Sequence, residues 1–439
     1  MSDCTQDVFR FPSPNRRKLE VSFNGQNITS NGGLLLIREA DRLLGLTEKI
    51  SKTIPDPRKP EMIVHSQVNL LRQRIYGLAA GYEDLNDHDE LRFDPAFQVS
   101  LKTDQELASS PTLCRLEKRA DRKTAFKIHK IMVDTFIRSY KTPPEELILD
   151  FDGTDDAVHG NQKGKYYNGF YGHHCFLPLY VFCGEQLLVS YLRPGNSGAA
   201  THAWAILSLL VKRFRRKWPD ARIIFRADGG FFKPRIFSWC EKNNVDFIVG
   251  APKNSRLLDL SHDLLVEAKK QYEATGEKQR IFSEINYSAA RWRKKVRRII
   301  VKAEHTDQGG NPRYVITSLK GGDPQYIYDD IYCQRGDSEN RIKENKLDLF
   351  SGRTSCTGWW SNQFRLLLSG AAYILLSSVR RIALAGTEMA HAQCVTIRHR
   401  LIRIGGVVVR NTRRIRFMLS SSHPWKNIFF HSAKKLCAG

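Results

Sequence analysis

The chain has 439 residues, of which 41% are hydrophobic, so it is long enough to form two or three domains and to bury a sizeable core. That composition argues against an intrinsically disordered chain. Lys and Arg number 69 against 46 Asp and Glu, which gives a net charge of +23. A positive field of this size attracts polyanions, so nucleic acid is the expected partner.

Targeting and cysteine patterns favour an intracellular protein without zinc. Residues 1–12 are polar and lack the apolar stretch of a secretory signal, so we expect a cytoplasmic, nucleoid-associated protein. The most apolar stretch, Leu366–Ser378, is shorter than the roughly 20 residues of a membrane span and is predicted to be a buried helix.

The nine cysteines are an odd number and include no C-x-x-C pair, which argues against a disulfide framework. His173, His174 and Cys175 are strand neighbours that point to opposite faces, which argues against a zinc site.

Residues 1–143 are predicted to form a basic N-terminal region. Two amphipathic stretches within it, Leu34–Leu46 and Lys118–Ile137, have apolar residues at helical spacing. The second stretch also has a series of lysines on its outer side. That basic surface either touches nucleic acid or keeps the region soluble.

Residues 144–252 change in character, because short apolar runs alternate with amphipathic helices. The first three runs predict an antiparallel meander, and two further strands, each preceded by a helix, would extend it in parallel. Pro178 inside the second run favours a sheet edge or a bulge. The order is typical of the ribonuclease H-like fold, an α/β fold with a mixed sheet flanked by helices. The predicted elements are strands Glu146–Asp152, Cys175–Cys183 and Gln186–Leu192, a helix from Thr201, strand Arg222–Arg226, helix Pro234–Asn243 and strand Val245–Gly250.

The rest of the chain is predicted to contain an insertion, the second part of the core and a basic tail. Residues 253–327 combine a helix-like stretch with basic strand-like segments, so we expect an inserted, mainly β subdomain. Residues 328–390 would return to the core. Residues 391–439 form a basic C-terminal region in which a Gly-Gly pair predicts the turn of a β hairpin. The predicted arms of this hairpin are Ile397–Ile404 and Val407–Leu419, on either side of Gly405 and Gly406.

Polar residues recur at helical spacing between positions 332 and 346. Successive members of the series are three, four and seven residues apart, which places them on one side of an α-helix. Such a face is either solvated and crossed by pairs such as Arg335 with Glu339, or it presents its side chains to an anion. The series consists of Tyr332, Arg335, Glu339 and Lys346.

Three carboxylates would converge on this predicted scaffold. Asp152 ends the first strand, Asp228 follows the fourth strand, and Glu339 lies on the late helix. Carboxylates without His or Cys partners suit Mg²⁺, and two such ions can activate a nucleophile and stabilise the leaving oxygen at phosphorus. Asp150 lies on the same strand face as Asp152, so either could be the ligand, and we prefer Asp152 because it is nearer the strand end. The neighbouring Asp155 and Asp156 are interpreted as loop or cap residues.

The chain resembles the DDE transposases of bacterial insertion sequences. The late helix matches the Tyr-Arg-Glu-Lys signature of the insertion-sequence four superfamily, with two, three and six residues between its members. Residues 149–162, 177–184 and 348–356 are similar to the group of that superfamily designated thirteen-eighty. One departure is Gly229, where the resemblance leads us to expect Ser, another small residue.

The resemblance implies a fold, an activity and site residues. It implies a ribonuclease H-like core with an inserted β domain, and two Mg²⁺ ions, with Mn²⁺ as a substitute, held by Asp152, Asp228 and Glu339. It further implies that the protein cuts and rejoins double-stranded DNA at terminal inverted repeats, with the N-terminal region binding the DNA ends and with a homodimer or higher oligomer as the synaptic complex. Tyr332, Arg335 and Lys346 would then contact DNA phosphates near the cut.

Three further questions stay open at the level of sequence. In related enzymes an aromatic residue of the inserted domain holds a flipped base, and Trp292, flanked by Arg291, Arg293, Lys294 and Lys295, is a candidate for this role. A Trp that anchors the insertion to the core explains the same pattern. The activity could also be that of a DNA nuclease on the same fold, or the chain could be a catalytically inactive DNA-binding protein. The arginine-rich tail either grips phosphates or forms a solvated hairpin.

Overall fold

The structure is a computed structural model, and it describes residues 8–12, 16–25, 27–289, 292 and 295–438. Within these residues the strands are β1 Phe9–Phe11, β2 Leu19–Val21, β3 Ile28–Thr29, β4 Glu146–Gly153, β5 Asp156–Ala157, β6 Tyr166–Asn168, β7 His173–Phe176, β8 Leu179–Cys183, β9 Gln186–Tyr191, β10 Arg222–Ala227, β11 Asp246–Ala251, β12 Gln279–Tyr287, β13 Arg297–Thr306, β14 Gly309–Gly310, β15 Arg313–Thr317, β16 Gly406–Arg410 and β17 Ile415–Leu419.

The α-helices alternate with these strands, and short 3₁₀ and π turns extend several of them. The α-helices are α1 Leu34–Leu44, α2 Leu46–Ser51, α3 Gln67–Ala80, α4 Asp87–Leu91, α5 Pro95–Ser100, α6 Ser110–Glu117, α7 Arg122–Arg138, α8 Ala203–Lys217, α9 Pro234–Lys242, α10 Ser255–Leu260, α11 His262–Thr275, α12 Pro324–Tyr326, α13 Gly336–Lys343, α14 Trp359–Ala383, α15 Cys394–Ile397 and α16 Lys426–Cys437. The 3₁₀ turns are Pro60–Met62, Gly229–Phe231 and Cys333–Arg335, and the π turns are Ile327–Tyr332, Glu344–Asp348 and Arg398–Ile402.

The chain divides into two compact units. One unit consists of Glu48–Asp56 and Glu117–Ser377, and the other contains the described residues within Met1–Thr47, Pro57–Leu116 and Ser378–Gly439. The sequence instead predicts separate N-terminal and C-terminal basic regions, with boundaries near 143 and 391. Helix α7, which that scheme assigns to the N-terminal region, belongs to the unit with the large sheet.

A large mixed sheet forms the centre of the first unit. Its strands run in the order β12-β13-β15-β11-β10-β4-β8-β9, and β14 pairs with β13. Strand β8 is antiparallel to its two neighbours, β4 and β9, whereas β10 lies parallel to both β4 and β11. The meander extended by parallel strands is therefore confirmed.

The apolar run Cys175–Cys183 forms two strands, whereas the sequence predicts one. Pro178 has no N–H to donate and interrupts the run. The segment before it, β7, joins a small sheet of order β5-β7-β6, and the segment after it, β8, joins the large sheet beside β4. The small sheet therefore adjoins the end of β4, where Asp152 lies.

The insertion at 253–327 contributes its strands to the large sheet, whereas the sequence predicts a subdomain of its own. Strand β15 pairs antiparallel with β11, and β13 and β12 continue the sheet beyond it. The buried side chains of Ile299, Val301 and Ile316 belong to the same apolar cluster as Phe225 and Val249 of the parallel strands. Burial of apolar surface against an existing sheet explains this extension.

Alternating side chains of the sheet build two apolar layers. Ile223 and Phe225 point into the larger layer, which packs under α7, α8 and α9. Ile224, between them, points to the other face and packs near Ile327 and Tyr328 of the late helical segment, residues 324–348. The sheet thus carries helices on one face and that segment on the other.

The second unit joins the N-terminal and C-terminal parts of the chain. Strand β3 pairs with β16 in a three-stranded sheet of order β17-β16-β3. The side chain of Arg398 is buried and donates to Ala79 O at 3.0 Å. A Cβ at Gly33 would lie 1.7 Å from Leu401 O, so only glycine allows this close approach.

The C-terminal hairpin turns at a different place from the predicted one. Residues 394–402 are helical, so Ile397–Ile404 is not an arm of the hairpin. The turn lies at 411–414, where the Asn411 side chain accepts from the N–H groups of Arg413 and Arg414. An Asn that caps its own turn outweighs the Gly-Gly signal.

Helix α14 is long and apolar enough to span a membrane by length and composition, and it is alone in this among the described residues. Most of its apolar stretch is buried inside the protein. The predicted buried helix around Leu366–Ser378 is confirmed.

Candidate active site

Two of the predicted carboxylates lie at neighbouring ends of parallel strands. Asp152 is the penultimate residue of β4, and Asp228 directly follows β10. The register pairs Ala227 with Phe151, so the next residues along both strands reach the same edge of the sheet. The Asp228 carboxylate accepts from Gly230 N–H at 2.9 Å and caps the 3₁₀ turn that follows β10.

The third carboxylate comes from an irregular helical segment, 324–348. The sequence predicts a helix through Tyr332–Lys346, and the structure builds it from α13 with 3₁₀ and π turns on either side. Arg335 donates to Asp152 Oδ2 at 3.3 Å and forms an ion pair with Glu339 Oε1 at 2.5 Å. One guanidinium therefore bridges the first and third predicted carboxylates.

The carboxylates influence one another electrostatically. Burial raises the pKa of Asp152 to about 7, the Arg335 guanidinium opposes this rise, and the Asp228 and Glu339 carboxylates add to it. Within the described parts of the chain, no three His, Cys, Asp or Glu side chains stand in an arrangement that would hold a metal ion. Asp152, Asp228 and Glu339 are the hard oxygen donors that Mg²⁺ prefers, and here Arg335 supplies the positive charge between two of them.

Asp150 has a different set of partners from Asp152. Both of its carboxylate oxygens accept from Arg226, at 2.5 and 2.8 Å. Arg226 also donates to Ile331 O at 2.6 Å, so this buried pair fastens the late helical segment to β10. Both Asp150 oxygens are thus held in one buried ion pair with Arg226, whereas the Asp152 oxygens accept from Gly153 N–H at 2.8 Å and from Arg335 at 3.3 Å. Asp152 is the one of the two whose partner Arg335 also pairs with Glu339, which supports its choice as the site carboxylate.

Tyr332 lies close to Asp228. Burial raises the pKa of its phenol, Arg335 opposes the rise, and Asp228 adds to it. A Cβ at Gly250 would lie 2.6 Å from the Tyr332 hydroxyl oxygen and 2.9 Å from Gly229 N. Gly250 therefore leaves the space into which the phenol fits.

Lys346 is bonded to the loop that follows β4. Its ammonium group donates to Thr154 Oγ1 at 3.1 Å, to Asp155 O at 2.5 Å and to Asp155 Oδ1 at 3.3 Å. The other carboxylate oxygen of Asp155 lies 2.9 Å from His173 Nε2. The sequence predicts Asp155 to be a loop or cap residue, whereas in the structure it joins the end of β4 to β7 and to the late segment. The D-G-T-D-D spacing after the strand is the one sequence signal for this role.

Asp156 is buried beside this network. Neither of its carboxylate oxygens has a hydrogen-bond partner among the described residues, and burial raises the pKa to about 7, with Lys346 opposing the rise. The sequence alone interprets it as a cap residue. The structure shows an uncompensated buried acid instead.

Trp292 lies in the interior. Its side chain is 6% exposed and packs against Phe232, Phe237 and Tyr287, and the Arg297 guanidinium lies 4.8 Å from its ring centroid. This geometry favours the alternative in which the Trp anchors the insertion to the core. The flanking Arg291, Arg293 and Lys294 lie outside the described residues.

Carboxylates and basic side chains at the end of a mixed sheet suit an enzyme that acts on a phosphodiester polyanion. A family model described as "Transposase DDE domain group 1" matches residues 11–438. Because the match covers nearly the whole chain, the protein belongs to this family. The family implies a transposase, which is an enzyme that binds, cleaves and transfers DNA, and DDE transposases generally use divalent metal ions. The comparison with curated proteins gives no match.

Proposed function

We propose that the protein is the transposase of a bacterial insertion sequence and that it cleaves and joins DNA at the terminal inverted repeats of that element. The observation that carries this proposal is the bridge from Arg335 to both Asp152 and Glu339, with Asp228 at the adjacent strand end. The order of strands β4, β8, β9, β10 and β11 supports a ribonuclease H-like core. The Tyr-Arg-Glu-Lys spacing supports membership of the insertion-sequence four superfamily and its group thirteen-eighty.

Asp152, Asp228 and Glu339 would hold two Mg²⁺ ions, for which Mn²⁺ could substitute. When bound, such ions activate water or a 3′ hydroxyl and stabilise the leaving oxygen at phosphorus. The protein's own contribution is to bring Asp152 and Asp228 to neighbouring strand ends, to link Asp152 to Glu339 of the late segment through Arg335, and to keep Asp152 largely out of water, with its side chain 14% exposed.

Arg335 has two roles in this proposal. Without metal, its guanidinium neutralises Asp152 and Glu339. With cations held by Asp152 and Glu339, the Arg335 guanidinium would be available to bind a DNA phosphate, for which its planar donors are suited. Tyr332, beside Asp228, would position the same strand.

Lys346 is assigned a different role from the one that the resemblance implies. Its three bonds to Thr154 and Asp155 match the three donors of an ammonium group. We propose that it holds the loop next to Asp152 in place. A direct phosphate contact would require these bonds to break.

Strand transfer with DNA that carries the flanking inverted repeats tests the proposal. Asp228→Asn should abolish both cleavage and joining while DNA binding in EDTA stays unchanged. The matched control is Gly229→Ser, because a Cβ there would lie 3.6 Å from Gly250 O, an ordinary contact. Activity that survives in Asp228→Asn would overturn the proposal. Cleavage by the unaltered protein without joining of a precut end would identify a nuclease instead.

A further inference from the structure

An aromatic loop projects from the small sheet beside the candidate site. It comprises residues 166–174, the hairpin of β6 and β7. Phe170 is 88% exposed, Tyr167 59% and Tyr166 48%, so three aromatic side chains within five residues face solvent. Single exposed apolar residues are ordinary, but a cluster of aromatic rings indicates a binding surface.

The backbone of the aromatic loop is ordered by its own bonds. The Asn168 side chain donates to Gly195 O at 2.7 Å and accepts from Phe170 N–H at 3.0 Å. Gly172, at φ +74°, donates to Asn168 O at 2.8 Å and closes the turn. The backbone that carries the exposed rings is thus ordered before binding, which lowers the entropy lost on binding.

The aromatic loop is connected to the candidate site through His173. His173 Nε2 lies 2.9 Å from Asp155 Oδ2, and Asp155 also holds Lys346. Tyr171, whose ring centroid lies 5.0 Å from that of Phe170, has its pKa raised to about 12, first by burial and then by Asp155 and Asp152. The base of the aromatic loop is therefore bonded to Asp155, three residues after Asp152 in the chain.

The surroundings of the aromatic loop favour a nucleic acid over an apolar protein partner. Exposed Lys163 and partly exposed Lys165 precede the loop, and the whole chain has a charge of +23. Basic side chains interleaved with exposed rings suit a strand whose phosphates are bound while its bases stack. Bases in an intact duplex already stack on each other, so free ring faces select unpaired bases.

We propose that the aromatic loop, with Phe170 and Tyr167 as its stacking residues, binds unpaired bases of the DNA strand at the proposed cleavage site. This inference rests on the proposed function, since the DNA is the substrate of that same site. It assigns to β6 and β7 the base-holding role for which the buried Trp292 is poorly placed.

Fluorescence of 2-aminopurine tests the proposal. The probe is a duplex with a three-nucleotide unpaired flap that contains 2-aminopurine, compared with the fully paired duplex, both in EDTA so that no cleavage occurs. The wild-type protein should quench the fluorescence of 2-aminopurine in the flap, and it should bind the flap duplex more tightly than the paired duplex. Phe170→Ala should weaken flap binding about tenfold and remove the quenching, and Phe170→Trp should restore both.

Val266→Ala provides the control, because Val266 is a 51% exposed apolar residue on α11, outside the N-terminal and C-terminal basic regions. It should leave flap binding and quenching unchanged. Equal affinities of wild type and Phe170→Ala for the flap, with quenching retained, would overturn the proposal. Asp228→Asn should still quench the flap, so loss of cleavage and loss of stacking are separate results.

Discussion

Substitution of Lys346 by Met separates a positioning role from a phosphate contact. The ammonium group makes three hydrogen bonds, two of them to Asp155, and its side chain is 25% exposed. Hydrogen bonds to charged groups contribute about 1.5–3 kcal/mol each, and partial exposure reduces this. We expect Lys346→Met to lower the free energy of unfolding by about 1–3 kcal/mol.

Two measurements on Lys346→Met distinguish the positioning role of the lysine from a direct phosphate contact. Urea denaturation gives the loss of stability, and DNA affinity as a function of KCl gives the number of phosphate contacts. Loss of one phosphate contact would reduce the slope of log K against log salt by about 0.9. A positioning role predicts an unchanged slope with a strongly reduced cleavage rate.

Lys343→Met is the matched control, because Lys343 is an exposed lysine on the same helical segment. It should leave both stability and cleavage close to those of the wild type. A reduced salt slope for Lys346→Met without loss of stability would refute the positioning role and return this lysine to the DNA phosphate.

Four other predictions follow from the site and its surroundings. Burial raises the pKa of Asp156 to about 7. The protonated carboxyl therefore favours folding at acid pH, and this contribution is lost as the pH rises from about 4 to about 7. In urea denaturation, Asp156→Asn should raise the free energy of unfolding near pH 8 by up to about 4 kcal/mol and should give no gain near pH 4. Gly250→Ala should reduce cleavage far more than Gly229→Ser, because the new Cβ at position 250 would lie 2.9 Å from the backbone N of Gly229. Trp292→Ala should lower the free energy of unfolding by about 3–5 kcal/mol, measured by urea denaturation. Arg335→Ala should lower the Mn²⁺ concentration for half-maximal binding about tenfold, by electron paramagnetic resonance, while reducing cleavage.

The order of elements in the sheet could be predicted because apolar runs, turns and helices alternate with clear spacing. Asp152 and Asp228 could be placed at strand ends for the same reason. The paired register of β4 and β10 then brings them to one edge. β4 and β10 are far apart in sequence, but the strand order typical of the ribonuclease H-like fold places them side by side.

The pairings of the inserted strands could not be predicted in the same way. The insertion's strands join the large sheet because β15 pairs with β11, which lies far away in sequence. The bonds of Asp150 to Arg226 and of Lys346 to Asp155 depend on tertiary contacts that no spacing rule contains. The buried position of Trp292 likewise reflects packing, since basic neighbours alone suggest a surface residue.

The central claim is that Asp152, Asp228 and Glu339 converge on the same divalent cations. Bound Fe²⁺ with ascorbate and peroxide cleaves a polypeptide next to the metal, so mapping the cuts locates the ligands directly. We predict cuts near all three residues, suppressed by excess Mg²⁺ and lost in Asp228→Asn. Cuts elsewhere, or cuts at these residues that Mg²⁺ does not suppress, would contradict the account.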